Sequence, residues 1–259
     1  MNPFPAAPVV ISGAAGGLGA ATARALAASG VPLLLLDRSA PEELAAALER
    51  DGAECLAGDV ELRDERSIRA ALARGEQAFG PAGHLVHCAA VLRMAPIREL
   101  APAEFRDVLD VNVVGAFLLA RAVAISASAS GGAIVLVSST GGIISGADSV
   151  AYGASKHALH GVMQGLARAF GPSHVRVNAV CPGTMDTPLF GREVARDWSE
   201  RFDGASAEQK LETDRRASLL CELPAPDDVA HLCVFLLSRA SRAVTGQIYT
   251  AWGAPVGLP

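Results

Sequence analysis

Tyr152 and Lys156 stand four residues apart in a stretch, residues 151–170, that reads as helix, so their side chains fall on one face. The chain holds two tyrosines and two lysines, and a chance Tyr-x-x-x-Lys has a probability of roughly 2 × 2/259, under about 2%. Arginine is used almost everywhere else, so a lysine kept at this spacing suggests that an ammonium is wanted. A phenol with an unperturbed pKa of about 10 is a poor base at neutral pH, and a neighbouring ammonium favours its phenolate, bringing it toward the working range. Tyr152 is therefore expected to exchange a proton with an alcohol or carbonyl oxygen. Ser139, thirteen residues earlier, follows the strand-like run 133–138, where its hydroxyl can hold that oxygen in place. Alone, such a serine reads as a helix or turn cap; beside Tyr152 it reads as part of a site.

A second set of residues suits a phosphate. The run Ser12-Gly13-Ala14-Ala15-Gly16-Gly17-Leu18-Gly19 closes an apolar stretch and opens an alanine-rich one. Without Cβ atoms the backbone N–H groups can approach a pyrophosphate, and a helix N-terminus adds partial positive charge. An ordinary tight turn is the competing reading. Strand, glycine turn, helix and an acidic residue at the end of the next strand make the arrangement of a dinucleotide site, and here that residue is Asp37, 18 positions past Gly19. Its carboxylate can accept hydrogen bonds from ribose hydroxyls and would repel a 2′-phosphate, which favours NAD over NADP; Arg38 is the residue that could reach a phosphate instead. Asp59, before Val60, ends a third strand, where it either meets an adenine amino group or closes an Asx-turn.

These groups need a frame. Strand-like runs at Val9–Ser12, Leu33–Asp37, 85–88, 133–138, 175–180 and 247–250 alternate with helical stretches at 18–29, Glu42–Arg50, 67–79, 111–125, 151–170 and 227–237. Such alternation predicts an α/β domain, a doubly wound parallel sheet with helices on both faces. Ligands bind such a sheet at the carboxyl ends of its strands. At 259 residues and 51% apolar composition the chain is expected to form one domain around a large core. Residues 184–222 differ in character: polar, with Trp198, Phe202 and Gly204, and too long for a simple connection, they read as a substrate lid of one or two helices.

Composition excludes other classes. A net charge of −5 leaves no footprint for nucleic acid. No apolar run reaches the roughly 18 to 20 residues that span a bilayer, and the first eight residues lack the basic and apolar regions of a signal peptide, so a cytoplasmic protein is expected. Five widely spaced cysteines without a C-x-x-C pair read as buried free thiols, with no metal site.

Together the glycine turn 12–19, Asp59-Val60, Asn112 in Val-Asn-Val-Val-Gly, Ser139, Tyr152-Gly-Ala-Ser-Lys156 and Pro182-Gly183-Thr184-Met185-Asp186-Thr187 resemble the short-chain dehydrogenase/reductase family. The resemblance covers nearly the whole chain and implies a seven-stranded Rossmann sheet and a homotetramer. It implies that Tyr152 is the general acid/base, that Ser139 orients the substrate oxygen, that Lys156 binds the nicotinamide ribose and lowers the tyrosine pKa, and that Asn112 holds a water that passes protons onward. Without it, Asn112 reads as a helix-interior polar residue facing solvent. The implied cofactor contacts are Ser12, Gly13, Gly17, Leu18, Gly19, Asp37, Arg38, Asp59, Val60, Ala89, Tyr152, Lys156, Pro182, Gly183 and Thr187, with Pro182-Gly183 as the nicotinamide wall and Thr187 on the carboxamide.

The chain departs from the family pattern in three places. His87-Cys88-Ala89-Ala90 replaces Asn-Asn-Ala-Gly, with His87 read as structural; Ser12 replaces threonine; and Thr250-Ala251-Trp252-Gly253 stands where many members have Asp-Gly-Gly. The run Ala89-Ala90-Val91-Leu92-Arg93-Met94 is similar to the matching piece of 2,3-dihydro-2,3-dihydroxybenzoate dehydrogenases, which suggests a cyclic diol or hydroxy acid with Arg93 near a carboxylate. Ser139, Met185 and Trp198 are further substrate candidates, together with Leu189 and Phe190 as pocket wall. The expected function is NAD-dependent oxidation of a secondary, cyclic alcohol or dihydrodiol. The alternatives are an NAD(P)H-dependent ketoreductase of the 3-oxoacyl type and a non-catalytic nucleotide sensor.

Overall fold

The structure is a computed structural model that describes residues 7–193 and 207–252. Seven strands form one parallel sheet in the order β3-β2-β1-β4-β5-β6-β7: β1 Val9–Ser12, β2 Leu33–Asp37, β3 Cys55–Asp59, β4 His84–His87, β5 Gly132–Val137, β6 Val175–Pro182 and β7 Ile248–Ala251. The chain order reverses between β1 and β4, which pair in register from Val9 with His84 to Ser12 with His87. A crevice therefore opens at the carboxyl ends of these two strands.

The expected strands are all present. β1 and β2 have the expected bounds, β4, β5 and β7 are displaced by one residue, and β6 runs on to Pro182. The strands are near-continuous apolar runs because both faces are covered. On one face Val9, Ile11, Leu33, Leu35 and Val135 pack with α1 (Gly17–Ala27), including Leu26. On the other, Val10, Leu34, Leu36, Leu85, Ile134 and Leu136 pack with α3 (Glu65–Phe79), α5 (Ala116–Ala127) and α6 (Val150–Phe170). The remaining helices are α2 (Glu42–Arg50), α4 (Pro102–Leu109), α7 (Pro188–Glu193), α8 (Ala207–Ala217) and α9 (Pro226–Leu237), the last packed beside α1 through Val229, Ala230 and Cys233.

Two differences from the sequence reading have physical causes. The helix expected at 111–125 begins earlier, as α4, and passes through a π-helical segment, Asp110–Gly115, before α5. An apolar 3.6-residue period does not reveal an extra residue in one turn, and such bulges concentrate at functional sites. The continuous stretch Pro102–Ala127 is 26 residues long with a most apolar window of mean hydropathy 1.9, long and apolar enough by those measures to cross a membrane, which corrects the expectation of no such run. Half of that window is buried, and Leu119, Ala120, Val123 and Ala124 are 0% exposed against the sheet, so its apolarity is that of a core helix.

The 184–222 stretch contains α7 and α8 among its described residues. Thr184 donates to Asp214 of α8 at 2.6 Å, and Asp214 also pairs with Lys210, so α8 is tied to the loop leaving β6. Trp198, Phe202 and Gly204 lie outside the described residues.

Candidate active site

The glycine turn is shaped by contacts that exclude side chains. Gly13 has φ +74°, and a Cβ there would sit 2.5 Å from the amide nitrogen of Ala89 at the end of β4. At Gly19 a Cβ would lie 2.1 Å from the Gly13 carbonyl oxygen, so the turn and the first turn of α1 close on each other. Asp37 bends over this turn: one carboxylate oxygen accepts the Ala15 N–H at 3.0 Å, the other the Arg38 N–H at 2.7 Å. Leu18 and Val60 are buried beneath, while Arg38 and Asp59 are exposed, Asp59 lying 3.8 Å from Arg74. Thr187 comes over the turn from the β6 side, its methyl group 3.1 Å from the position a Gly17 Cβ would occupy.

These residues fit a dinucleotide. Gly16 caps α1 without a side-chain bond and the first turn carries no acid, so the amide groups and partial positive charge of the helix end remain available to a phosphate. A turn that rejects Cβ atoms lets that phosphate approach the backbone.

The catalytic candidates meet on the β5 side of the crevice. Ser139 follows β5, and its oxygen accepts the Gly141 N–H at 3.0 Å. Tyr152, in the first turn of α6, comes beside Ser139: a Cβ at Gly141 would lie 3.4 Å from Ser139 Oγ and 3.6 Å from the Tyr152 ring. Lys156 is 1% exposed; its ammonium donates to the Val137 carbonyl at 2.9 Å and lies 5.5 Å from the centre of the Tyr152 ring. The expected pairing of residue types is thus present.

Its electrostatics differ from the expectation. Burial pushes the Tyr152 phenol up to about 12, with the neighbouring Ser139 hydroxyl working the other way. Burial brings Lys156 down to about 8. Loss of water on burial outweighs the neighbouring ammonium, whose own bond goes to the Val137 carbonyl.

Asn112 corrects the solvent-facing reading, for it is 0% exposed. The π segment turns it inward. Its Oδ1 accepts the Val91 N–H at 2.8 Å, and its Nδ2 donates to the Val91 carbonyl at 2.9 Å and to Ser155 Oγ at 3.0 Å. Asn112 therefore splints the loop after β4 to α6. Arg93, in that loop, is ion-paired with Glu104 of α4 at 2.7 Å, so its guanidinium already faces a carboxylate of the protein itself. Met185 packs, partly buried, against the α1-side core.

Three features escaped the sequence reading. Trp252 covers Gly183, with ring carbons 2.4 Å from where a Cβ would stand. Cys181 Sγ lies 3.3 Å from His160 Nε2, beneath Tyr152 and Lys156. His87 is 0% exposed, with Nδ1 2.7 Å from Ser12 Oγ. Nothing in its spacing marks the second; the first and third stand at recognised departures from the family pattern.

A family model described as enoyl-(acyl carrier protein) reductase matches residues 13–252. The chain is 33% identical over 252 residues to the cis-4-hydroxycyclohexanecarboxylate dehydrogenase of Sinomonas cyclohexanicum, covering 94% of each protein. It is 32% identical over 240 residues to oxidoreductase UcpA of Escherichia coli (strain K12), covering 92% of this chain and 89% of that protein. Among solved structures, NAD⁺-bound xylitol dehydrogenase superposes with a TM-score of 0.90 at 26% identity over 97% of this chain and 99% of that one. A variant of actinorhodin polyketide ketoreductase with NADPH gives 0.89 at 26% identity over 96% of each. With the parallel sheet, the glycine turn and the Ser139, Tyr152 and Lys156 cluster in place, the chain belongs to the short-chain dehydrogenase/reductase family and is an oxidoreductase that uses a nicotinamide cofactor.

Proposed function

We propose that the protein is an NAD-dependent dehydrogenase that oxidises a secondary, cyclic alcohol or dihydrodiol. The observation that carries this reading is Tyr152 set beside Ser139 and the buried Lys156, at the strand ends that also carry the glycine turn. Two hydroxyls placed side by side offer a substrate oxygen both a proton partner and an anchor. Ser139 holds the substrate hydroxyl; Tyr152 takes its proton as the carbonyl forms. Bound NAD⁺ would accept the hydride, and its positive charge would favour the Tyr152 phenolate. Lys156 adds a cation next to the phenol, and Asn112 keeps the loop after β4 and α6 in register. Holding the reactants in place supplies the rest of the catalysis.

Gly13, Gly17 and Gly19, with Ser12, Leu18 and Ala89 around them, would cradle the pyrophosphate. Asp37 would take the adenosine ribose, Asp59 and Val60 the adenine, and Pro182, Gly183 and Thr187 the nicotinamide. Asp37 supports NAD: its carboxylate already faces the turn, where it would repel a 2′-phosphate. The cyclic substrate is supported by the Sinomonas relative, whose name gives a hydroxylated cyclohexane ring. With Arg93 engaged by Glu104, the segment 184–222, closing as a lid, is the better source of further substrate contacts.

A homotetramer is supported by the exposed apolar side chains Val114, Phe117 and Ile125 on one side of the helix through α5, and by Phe235 and Ile248 toward the β7 edge. The five free thiols suit the reducing cytoplasm. The second reading is an NADPH-linked 3-oxoacyl ketoreductase, favoured by the exposed Arg38 beside Asp37 and by the ketoreductase neighbour. Fluorescence titration with NADH and NADPH, followed by a panel of cyclic alcohols, dihydrodiols and ketones read at the nicotinamide absorbance, separates the two. Tighter NADH binding with NAD-linked oxidation supports the dehydrogenase; preference for NADPH with ketone reduction overturns it.

A further inference from the structure

His87 closes β4 in register with Ser12 of β1 and Leu136 of β5. Leu85, two residues earlier, packs in the α5 and α6 core, so strand alternation turns the imidazole toward the same side, where Lys156 lies one turn before Leu159 on α6. The ring is fully buried. Nδ1 meets Ser12 Oγ at 2.7 Å, and Nε2 has no hydrogen-bond partner.

A neutral imidazole and a hydroxyl share one bond here, and whichever of them donates, Nε2 is left with either an N–H or a lone pair to satisfy. Sealed polar atoms of this kind commonly carry an ordered water, which can accept from the first or donate to the second. The proton arriving at Tyr152 must also leave. A water beside Lys156 would carry it, and the side-chain amide of Asn112 is bonded to Val91 and Ser155. Among the described residues three buried side-chain atoms lack a partner, His84 Nε2, His87 Nε2 and Trp252 Nε1, and of these it is His87 that Lys156 acts on.

We propose that His87 is a positioning residue for proton exit: Ser12 fixes its Nδ1, and its Nε2 seats a buried water beside the Lys156 ammonium. The proposal rests on the acid/base role given to Tyr152. For each turnover one proton enters at Tyr152, one passes from Lys156 to the water and on to solvent, and Lys156 regains its own from Tyr152, so both residues end as they began. His87 keeps its protonation state throughout. The groups that bear on it are Lys156 from α6 and Ser12 from β1, with Cys88 following it in the chain.

Two amides separate the roles. Asparagine places a nitrogen where Nδ1 stands, and glutamine places one where Nε2 stands. Because asparagine belongs to the family pattern at this position, His87→Asn is expected to fold. In a high-resolution crystal structure of the wild type, a water should lie about 2.7–3.1 Å from Nε2, and it should be gone in His87→Asn. His87→Asn should lower kcat about tenfold at pH 7 and raise the solvent deuterium isotope effect, with the NADH Kd within about threefold. His87→Gln should restore both kinetic quantities. A solely structural histidine would move the melting temperature in both variants and leave the isotope effect unchanged. Absence of the water in the wild type, or wild-type kcat and isotope effect in His87→Asn, overturns the proposal. A wild type that binds the water yet turns over no alcohol or ketone would instead overturn the acid/base reading, which keeps the two failures distinct.

Discussion

Lowering the pH from 7 to 5 should destabilise this protein sharply, through histidines and not carboxylates. His84 is 2% exposed and His87 0%. Burial, helped by the Arg176 charge, brings His84 down to about 4; burial, helped by Lys156, brings His87 down to about 3. Unfolded histidines titrate near 6.5, so between that value and the folded ones the unfolded chain binds more protons. A depressed pKa of this kind gives stability that is complete above about 6.5 and is lost as the pH falls toward the folded values. Each histidine then costs about 1.4 kcal/mol per pH unit, so the pair removes about 4 kcal/mol by pH 5, out of a typical total of about 5–15. His160, also lowered by burial, acts in the same direction. Unfolded carboxylates titrate at or below about 4.3, outside this window.

The assay is urea unfolding at pH 7, 6 and 5, at fixed protein concentration and ionic strength, for the wild type and for a His84→Gln/His87→Asn double variant. The wild-type midpoint should fall steeply and that of the double variant much less, by the part that His160 contributes. A wild-type midpoint that holds between pH 7 and 5 would refute the argument, because the two imidazoles would then be protonated in the folded state at little cost.

Gly13→Ala forces a Cβ to 2.5 Å from the Ala89 nitrogen at φ +74°, so NADH titration should show at least a tenfold weaker Kd, a loss of about 1.4 kcal/mol or more. Asp37→Ser removes the carboxylate that faces the turn and leaves Arg38, and the ratio of NADPH to NADH affinity should rise about tenfold or more in the same titration. Arg176 donates to the carbonyls of Leu236, Leu237, Ser238 and Val244 and to Ser241 Oγ, closing the carboxyl end of α9; Arg176→Leu should cost on the order of 3 kcal/mol in urea unfolding.

The parallel sheet was legible because strands covered on both faces are continuous apolar runs, and Val9–Ser12 and Leu33–Asp37 end where their sequence turns to glycine or charge. Tyr152 and Lys156 were legible because helical spacing places them on one face. Asn112 was not, because its burial depends on the π segment and on the Val91 backbone 21 residues away. The engagement of Arg93 by Glu104 depends on α4, whose short amphipathic stretch carries one buried residue, Val108. Trp252 meets Gly183 because β7 lies beside β6, a long-range pairing that no local pattern encodes. The pKa of Tyr152 depends on what surrounds the ring in three dimensions, and the spacing of two residues does not contain that.

The central claim is that Tyr152 exchanges the proton while hydride passes to the nicotinamide. The measurement that tests it most directly compares wild type and Tyr152→Phe for NAD-linked oxidation of cyclic secondary alcohols, followed at the nicotinamide absorbance, with NADH affinity measured on the same samples. Loss of the phenol should lower kcat by about 10²–10⁴-fold and leave NADH binding within about threefold. Turnover by the variant at the wild-type rate would contradict that role for Tyr152.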